Sequence, residues 1–342
     1  MEQCLTFDDV QLVPMYSEVR SRGDVDTSSK LDDETVLRMP LIASPMDTIC
    51  EEEMAIALGN IGGLGIIHRF FTIEEQVAQI KSTLEQTKYV GAAIGATHKD
   101  QERIDALVEA GCRILDIDLA HGHCQIMQES IAWIKDKYPH VHIMAGAVAT
   151  ADAVNDLAQW GAHSIRVGVG NGSMCATRIQ TGVGIPLFSA LQSCSKAARN
   201  HGVKIIADGG CRTPGDVAKA FAAGADAIII GSLFAGTKET PGSIKKTGLF
   251  PDQKLFKQYR GSASIDSKIA RGEEGKNVEG TSTLVPYRGK VKRLVSEIED
   301  GVRSAMSYVG AFSMADFQEK STFVNVTSAG IREAFPHGLL KS

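Results

Sequence analysis

Apolar residues along this chain fall into two alternating patterns. Short runs, mostly of Ile, Val, Leu and Ala, occur at 41–44, 64–68, 90–96, 113–118, 142–146, 164–168, 204–208 and 227–231. Continuous runs such as Ile228, Ile229, Ile230 suit parallel strands buried on both faces. Between these runs, apolar positions recur at helical spacing over 51–58, 73–84, 101–109, 125–135, 151–160, 188–199 and 214–223. Thr150 stands ahead of one such stretch and Gly161 behind it, while Thr213-Pro214 puts an N-cap before a proline at the first helical position. The strings ALVEAGCR, LAQWGAHS and AFAAGADA each read as a helix ending at Gly and turning into the next strand.

Eight strands alternating with helices predict one (β/α)₈ barrel over residues 1–342, a TIM barrel with its site at the C-terminal strand ends. An open, doubly wound sheet is the alternative. Residues 236–290 break the rhythm, being rich in Gly, Lys, Glu and Ser without a sustained apolar period. They are expected to form a structureless active-site lid between the last strand and a closing helix at 291–308. The tail after Phe317 is polar and is expected to pack irregularly on a neighbouring subunit.

The net charge of −5, with no Lys/Arg-rich run, argues against nucleic acid or a membrane surface as partner. A nucleotide phosphate would then be held by local backbone geometry. No leader or membrane span is read, and seven cysteines without CxxC spacing suit free thiols in the cytoplasm.

The densest chemistry lies after the sixth strand, in VGVGNGSMCATRIQTGVG at 167–184. Its glycines permit close approach of backbone to a ligand. Cys175 sits mid-loop beside Thr177 and Arg178, where a cation would favour the thiolate, so it reads as a nucleophile rather than as the small buried apolar residue most cysteines are. Glycines after strands seven (Gly209, Gly210) and eight (Gly231, then Ser232) match the usual phosphate site of such barrels. Asp208 is then placed to bond ribose hydroxyls, or else it caps a helix. Asp118, which opens DLAHGH, faces a nicotinamide ribose or likewise caps a helix. With His121 and His123 it suggests a metal only weakly, since no further spaced ligand is apparent. Ser262 and Ser264 offer hydroxyls from the lid.

Five motifs in order, LTFDDV at 5–10, SPMDT at 44–48, GNGSMCAT at 170–177, DGG at 208–210 and YRGSAS at 259–264, resemble the IMP dehydrogenase/GMP reductase family over essentially the whole chain. IMP dehydrogenases usually carry a CBS pair after the second barrel strand and an Arg-Tyr pair in a mobile flap. This chain has neither, Arg271 being followed by Gly272. Together with TRIQTGVG at 177–184, DLAHGH at 118–123 and CRTPGDVAKAF at 211–221, this resembles the GMP reductase branch more closely; Arg166, TKETPG at 237–242 and Asn171 lean the other way.

The resemblance implies NADPH-dependent reductive deamination of GMP to IMP and ammonia through a covalent Cys175–purine adduct. Thr177 and Glu279 would move protons, Glu274 being the competing lid carboxylate. It also implies GMP contacts from Ser173, Asp208, Gly209, Gly210, Gly231, Ser232, Ser262, Ser264 and Lys276, and cofactor contacts from Asp118, Ala120, Met46 and Arg69. Backbone carbonyls of Gly170, Gly172 and Cys175 would hold a monovalent cation such as K⁺, in a homotetramer. Two alternatives stand beside this: an IMP dehydrogenase without CBS modules, and a purine-nucleotide-binding barrel that catalyses nothing.

Overall fold

The computed structural model describes residues 3–248 and 252–336. Strands β1 (Leu41–Ala43), β2 (Leu64–Ile67), β3 (Gly91–Ile94), β4 (Ile114–Asp118), β5 (His142–Val148), β6 (Ser164–Val167), β7 (Lys204–Asp208) and β8 (Ala227–Ile230) pair in parallel in that order. The barrel closes because β8 pairs with β1, Ile228 opposite Leu41 and Ile230 opposite Ala43. That pairing removes the open-sheet alternative. Helices α1 (Glu52–Gly59), α2 (Ile73–Leu84), α3 (Gln101–Glu109), α4 (Gln125–Lys137), α5 (Ala151–Trp160), α6 (Leu187–Arg199), α7 (Pro214–Ala222) and α8 (Val291–Val309) surround it. The anticipated caps are in place. Thr150 and Thr213 accept N–H bonds at the starts of α5 and α7, and Gly161 ends α5 in the left-handed region at φ 112°.

Alternation along each strand sorts side chains between two cores. On β4, Leu115 and Ile117 face the helices, whereas Ile114 joins the inner core with Ile42, Met144, Ile206 and Ile229. A small hairpin, Ser29–Lys30 with Val36–Leu37, closes the N-terminal mouth by inserting Leu31 and Leu37 into that inner core. It is fastened by His142, whose Nδ1 lies 2.7 Å from Asp32 and whose Nε2 lies 2.8 Å from Ser164. The hydrogen bond from His142 holds the Asp32 carboxyl well below the usual carboxylate range. Asp, His and Ser in line suggest a nucleophile relay, but Ser164 is wholly buried. These bonds therefore fix the plug.

Two expectations need correction. The 236–290 region is ordered as a three-stranded antiparallel sheet, β9 (Lys245–Thr247), β10 (Lys254–Arg260) and β11 (Ser282–Pro286), with a short helix Ile265–Ala270; residues 249–251 lie outside the described residues. Its strand signal is inverted, because the buried side of β10 carries Lys257 and Tyr259 while Leu255 is exposed. Lys257 Nζ donates to the carbonyls of Thr237 (3.3 Å), Lys238 (3.2 Å) and Thr240, so an ammonium stands where apolar periodicity expects a hydrophobe. The tail, too, is regular where irregular packing was expected, with a helix Met314–Lys320 followed by a short strand. Phe323–Asn325 pairs antiparallel with Val10–Leu12, and the Phe323 ring sits edge-on to Phe188 at 4.8 Å.

Candidate active site

The C-terminal strand ends surround a cavity of about 400 Å³ that holds Cys175, Asp118, Asp208 and Ser232 together. That volume lies in the range of small-molecule sites. The loop leaving β6 presses against the end of β7, where a Cβ on Gly168 would meet the Asp208 carbonyl oxygen at 2.3 Å. Glycine is required there, at φ 151°. The loop then forms a short helix, Thr177–Thr181, which the strand–helix rhythm did not anticipate.

Cys175 is exposed to the cavity, its Sγ 3.1 Å from Thr177 Oγ1, and that hydroxyl donates to Glu279 Oε2 at 2.7 Å. The lid is stitched to this loop by backbone bonds: Ala176 N–H to Glu279 O at 2.7 Å and Thr281 N–H to Met174 O at 2.9 Å. Glu274, by contrast, is exposed and ion-paired with Lys276, and neither lines the cavity. Arg178 does not line the cavity to which the thiol is exposed. Its stem packs against Gly170 and Gly184, and its head lines a second hollow behind the loop.

Gly209 and Gly210 both take left-handed φ, 79° and 75°, and a Cβ on Gly209 would touch the Gly172 backbone at 3.0 Å. On the other side a Cβ on Gly231 would meet Tyr259 Oη at 3.0 Å and Met46 Sδ at 3.5 Å. The Tyr259 hydroxyl bonds Ser173 Oγ at 3.0 Å, and burial pushes its pKa up. Ser173, Gly210, Gly231 and Ser232 thus border one end of the cavity, and Ser262 faces it from the lid. Ser264 does not line it. It is nearly fully buried and its Oγ accepts the Ser267 N–H, capping the lid helix.

Neither Asp118 nor Asp208 caps a helix, since α4 begins after Cys124 and α7 after Thr213. Both are instead bound to Arg166, which Asp116 holds from below. Burial raises the Asp116 carboxyl above the usual range, against the pull of Arg166. Arg69, with Nε 3.8 Å from Asp118, and Ala120 border the cavity there, while Met46 lines it with its Sδ close to Gly231. Arg271 stacks on Phe70, its guanidinium carbon 4.1 Å from the ring centre, and is bonded to Ser262 O, Ser267 Oγ and Glu273. His123 is paired with Asp156, and among the described residues no cluster of three His, Cys, Asp or Glu could hold a metal. The carbonyls expected to hold a monovalent cation lie on the Cys175 loop, where Gly172 O already accepts the Cys175 N–H at 3.0 Å and keeps a second lone pair.

Sequence spacing shows neither the bonds of Arg166 to Asp118 and Asp208 nor that of Tyr259, the first residue of YRGSAS, to Ser173. Asp116 could have been found as an acidic residue inside an apolar strand run, a position that needs a partner. Among the described residues, no helix is long and apolar enough to cross a membrane.

A family model for the IMP dehydrogenase / GMP reductase domain matches residues 4–337. An inosine-5'-monophosphate dehydrogenase of Cryptosporidium parvum is 37% identical over 386 residues, covering 97% of this chain and 94% of the relative. That of Borreliella burgdorferi is 36% identical over 398 residues, covering 98% and 97%. A GMP reductase of Leishmania donovani is 30% identical over 482 residues, covering 98% and 97%.

Proposed function

The chain belongs to the IMP dehydrogenase/GMP reductase family, and from that premise we propose that it converts GMP to IMP and ammonia through a covalent adduct on Cys175. The covalent chemistry of this reading is supported by the unbroken line from Cys175 through Thr177 to Glu279. The observation that carries the choice of GMP is a lid without an Arg-Tyr pair, whose cavity-lining Arg271 is already bound on several sides. Cys175, as thiolate, attacks purine C2 and makes it tetrahedral. The amino nitrogen cannot leave as an amide ion, so it takes a proton relayed from Glu279 through Thr177 and departs with the C–N electron pair as ammonia. Asp118, Arg69, Ala120 and Met46 would hold a reduced nicotinamide cofactor, taken here as NADPH, which when bound would supply the hydride that C2 gains. The C–S bond breaks, the electron pair returns to Cys175, and IMP is free. Gly209, Gly210, Gly231 and Ser232 suit the phosphate and Asp208 the ribose hydroxyls. The carbonyls of Gly170, Gly172 and Cys175 suit a monovalent cation, and the family resemblance favours a homotetramer.

A second reading, oxidation of IMP to XMP, is favoured by the relatives: of eight, six are named inosine-5'-monophosphate dehydrogenase and two GMP reductase. The same relay run as a base would serve that reaction by activating water. Length does not separate the branches. GMP reductases aligned over 482 residues are longer than this 342-residue chain, so the missing insertion argues for neither name. What favours GMP is the absence of an Arg-Tyr pair from the lid, where Arg271 is followed by Gly272. Incubation with GMP and NADPH or NADH should release ammonia as the reduced nicotinamide is consumed. If only IMP with an oxidised nicotinamide turns over, the second reading replaces the first.

A further inference from the structure

Beneath the cavity floor, one guanidinium joins the two sides of the site. Arg166 Nη1 donates to Asp116 Oδ2 at 2.7 Å and Asp118 Oδ1 at 3.0 Å, while Nη2 and Nε donate to Asp208 Oδ2 at 2.7 and 3.2 Å. Each rim carboxylate therefore gives one oxygen to Arg166; the other oxygen of Asp208 takes no bond from Arg166, and Asp118 Oδ2 lies 3.8 Å from Arg69 Nε at the cavity wall. Arg166 has little room to move. A Cβ on Gly146 of β5 would meet its Cβ at 2.5 Å, and Asp116, wholly buried, grips it from below. Asp116 Oδ1 has no partner, so that carboxyl is committed to Arg166 alone.

We infer that Asp116 and Arg166 are positioning residues that fix the nucleotide and nicotinamide subsites as one unit, so that disturbing either shifts both affinities together. The inference rests on the subsites proposed above, with Asp208 toward the nucleotide ribose and Asp118 toward the nicotinamide. The physical basis is the shape of the guanidinium. Its planar fork can satisfy carboxylates on β4 and β7 at once, whereas an ammonium on a flexible stem is a point charge that favours one of them. Asp208 and Asp118 then stop being independent. A carboxylate released from Arg166 loses the bond that aims it at its ligand, and the hold of the nearly fixed guanidinium on the other carboxylate changes with it.

The test uses the full-length protein and measures binding of GMP and of NADP⁺ by calorimetry, with KM and kcat alongside. Arg166→Lys and Asp116→Leu should each weaken both ligands, by roughly tenfold, with a smaller change in kcat. Asp208→Asn should weaken chiefly GMP, and Asp118→Asn chiefly the dinucleotide. In the double variant Arg166→Lys/Asp208→Asn, the loss in GMP affinity should be well short of the product of the single losses, which a purely structural role would not produce. Weakening of one ligand alone, or additive losses, would overturn the coupling while leaving the proposed function intact. Should either hub variant fail to fold by circular dichroism, the other decides by the same criterion. If both fail, the same double cycle on Asp118→Asn and Asp208→Asn decides, additivity overturning the inference. Failure of the unaltered protein to bind any purine nucleotide would overturn the functional reading, and this inference with it.

Discussion

At the scale of single residues, the site depends on where protons can go. Thr177 donates to Glu279 and so leaves its oxygen lone pairs toward Cys175, which makes the hydroxyl a carrier between sulfur and carboxylate. Glu279→Gln should lower turnover by roughly 10²–10⁴-fold, and Glu274→Gln, whose carboxylate lies outside the cavity, should leave kcat unchanged. Steady-state rates of both variants decide it, and equal losses would remove Glu279 from the relay. Gly231→Val is the second expectation. The added carbon atoms meet Tyr259 Oη and Met46 Sδ, so the KM for the nucleotide should rise severalfold with less change in kcat; an unmoved KM would take the phosphate away from this loop. Cys175, Asp208 and the glycines were legible because their types are rare in such positions and follow strand ends. The roles of Tyr259 and Arg166 were not, because their bonds to Ser173 and to Asp118 and Asp208 run between segments far apart in sequence, and no spacing along the chain shows them.

Elements tell a different story about legibility. The barrel strands and helices were readable to within a few residues because apolar period and burial agree in them, as in the Ile228–Ile230 run. The lid sheet was not, since its inward positions are Lys257, held by carbonyls, and Tyr259, which packs into the core while its hydroxyl bonds a serine. Burial lowers the Lys257 pKa, consistent with an ammonium drawn out of water. The N-terminal hairpin gives a pH prediction. Asp32 has a lowered folded pKa, so its bond to His142 contributes stability that is present above the unfolded carboxylate value near 3.8 and lost as pH falls through the lower folded value. Asp32→Asn should thus reduce the melting temperature at neutral pH, and the gap from the unaltered protein should narrow progressively below about pH 4. A gap constant down to strongly acid pH would show that the carboxylate charge does not fasten the plug.

For the molecule as a whole, closure of the barrel and pairing of its outer strands place the most distant segments in contact. Residues 10–12 lie beside residues 323–325, and Phe323 is held against Phe188. Phe323→Ala should cost about 2 kcal/mol, less than for a fully buried ring because Phe323 is only partly covered. Urea unfolding would measure it, and a loss under a few tenths would mean that the tail merely rests on the barrel. The same pairing has a consequence during synthesis. Val10 finds its partner in Asn325, 315 positions later by subtraction, so the first strand emerges from the ribosome long before the last. At ~5–20 residues per second that interval is roughly 15–60 s. Throughout it, the edge of residues 10–12 that will face residues 323–325 has no strand to pair with, and it is this edge of the nascent chain that chaperones would have to shield.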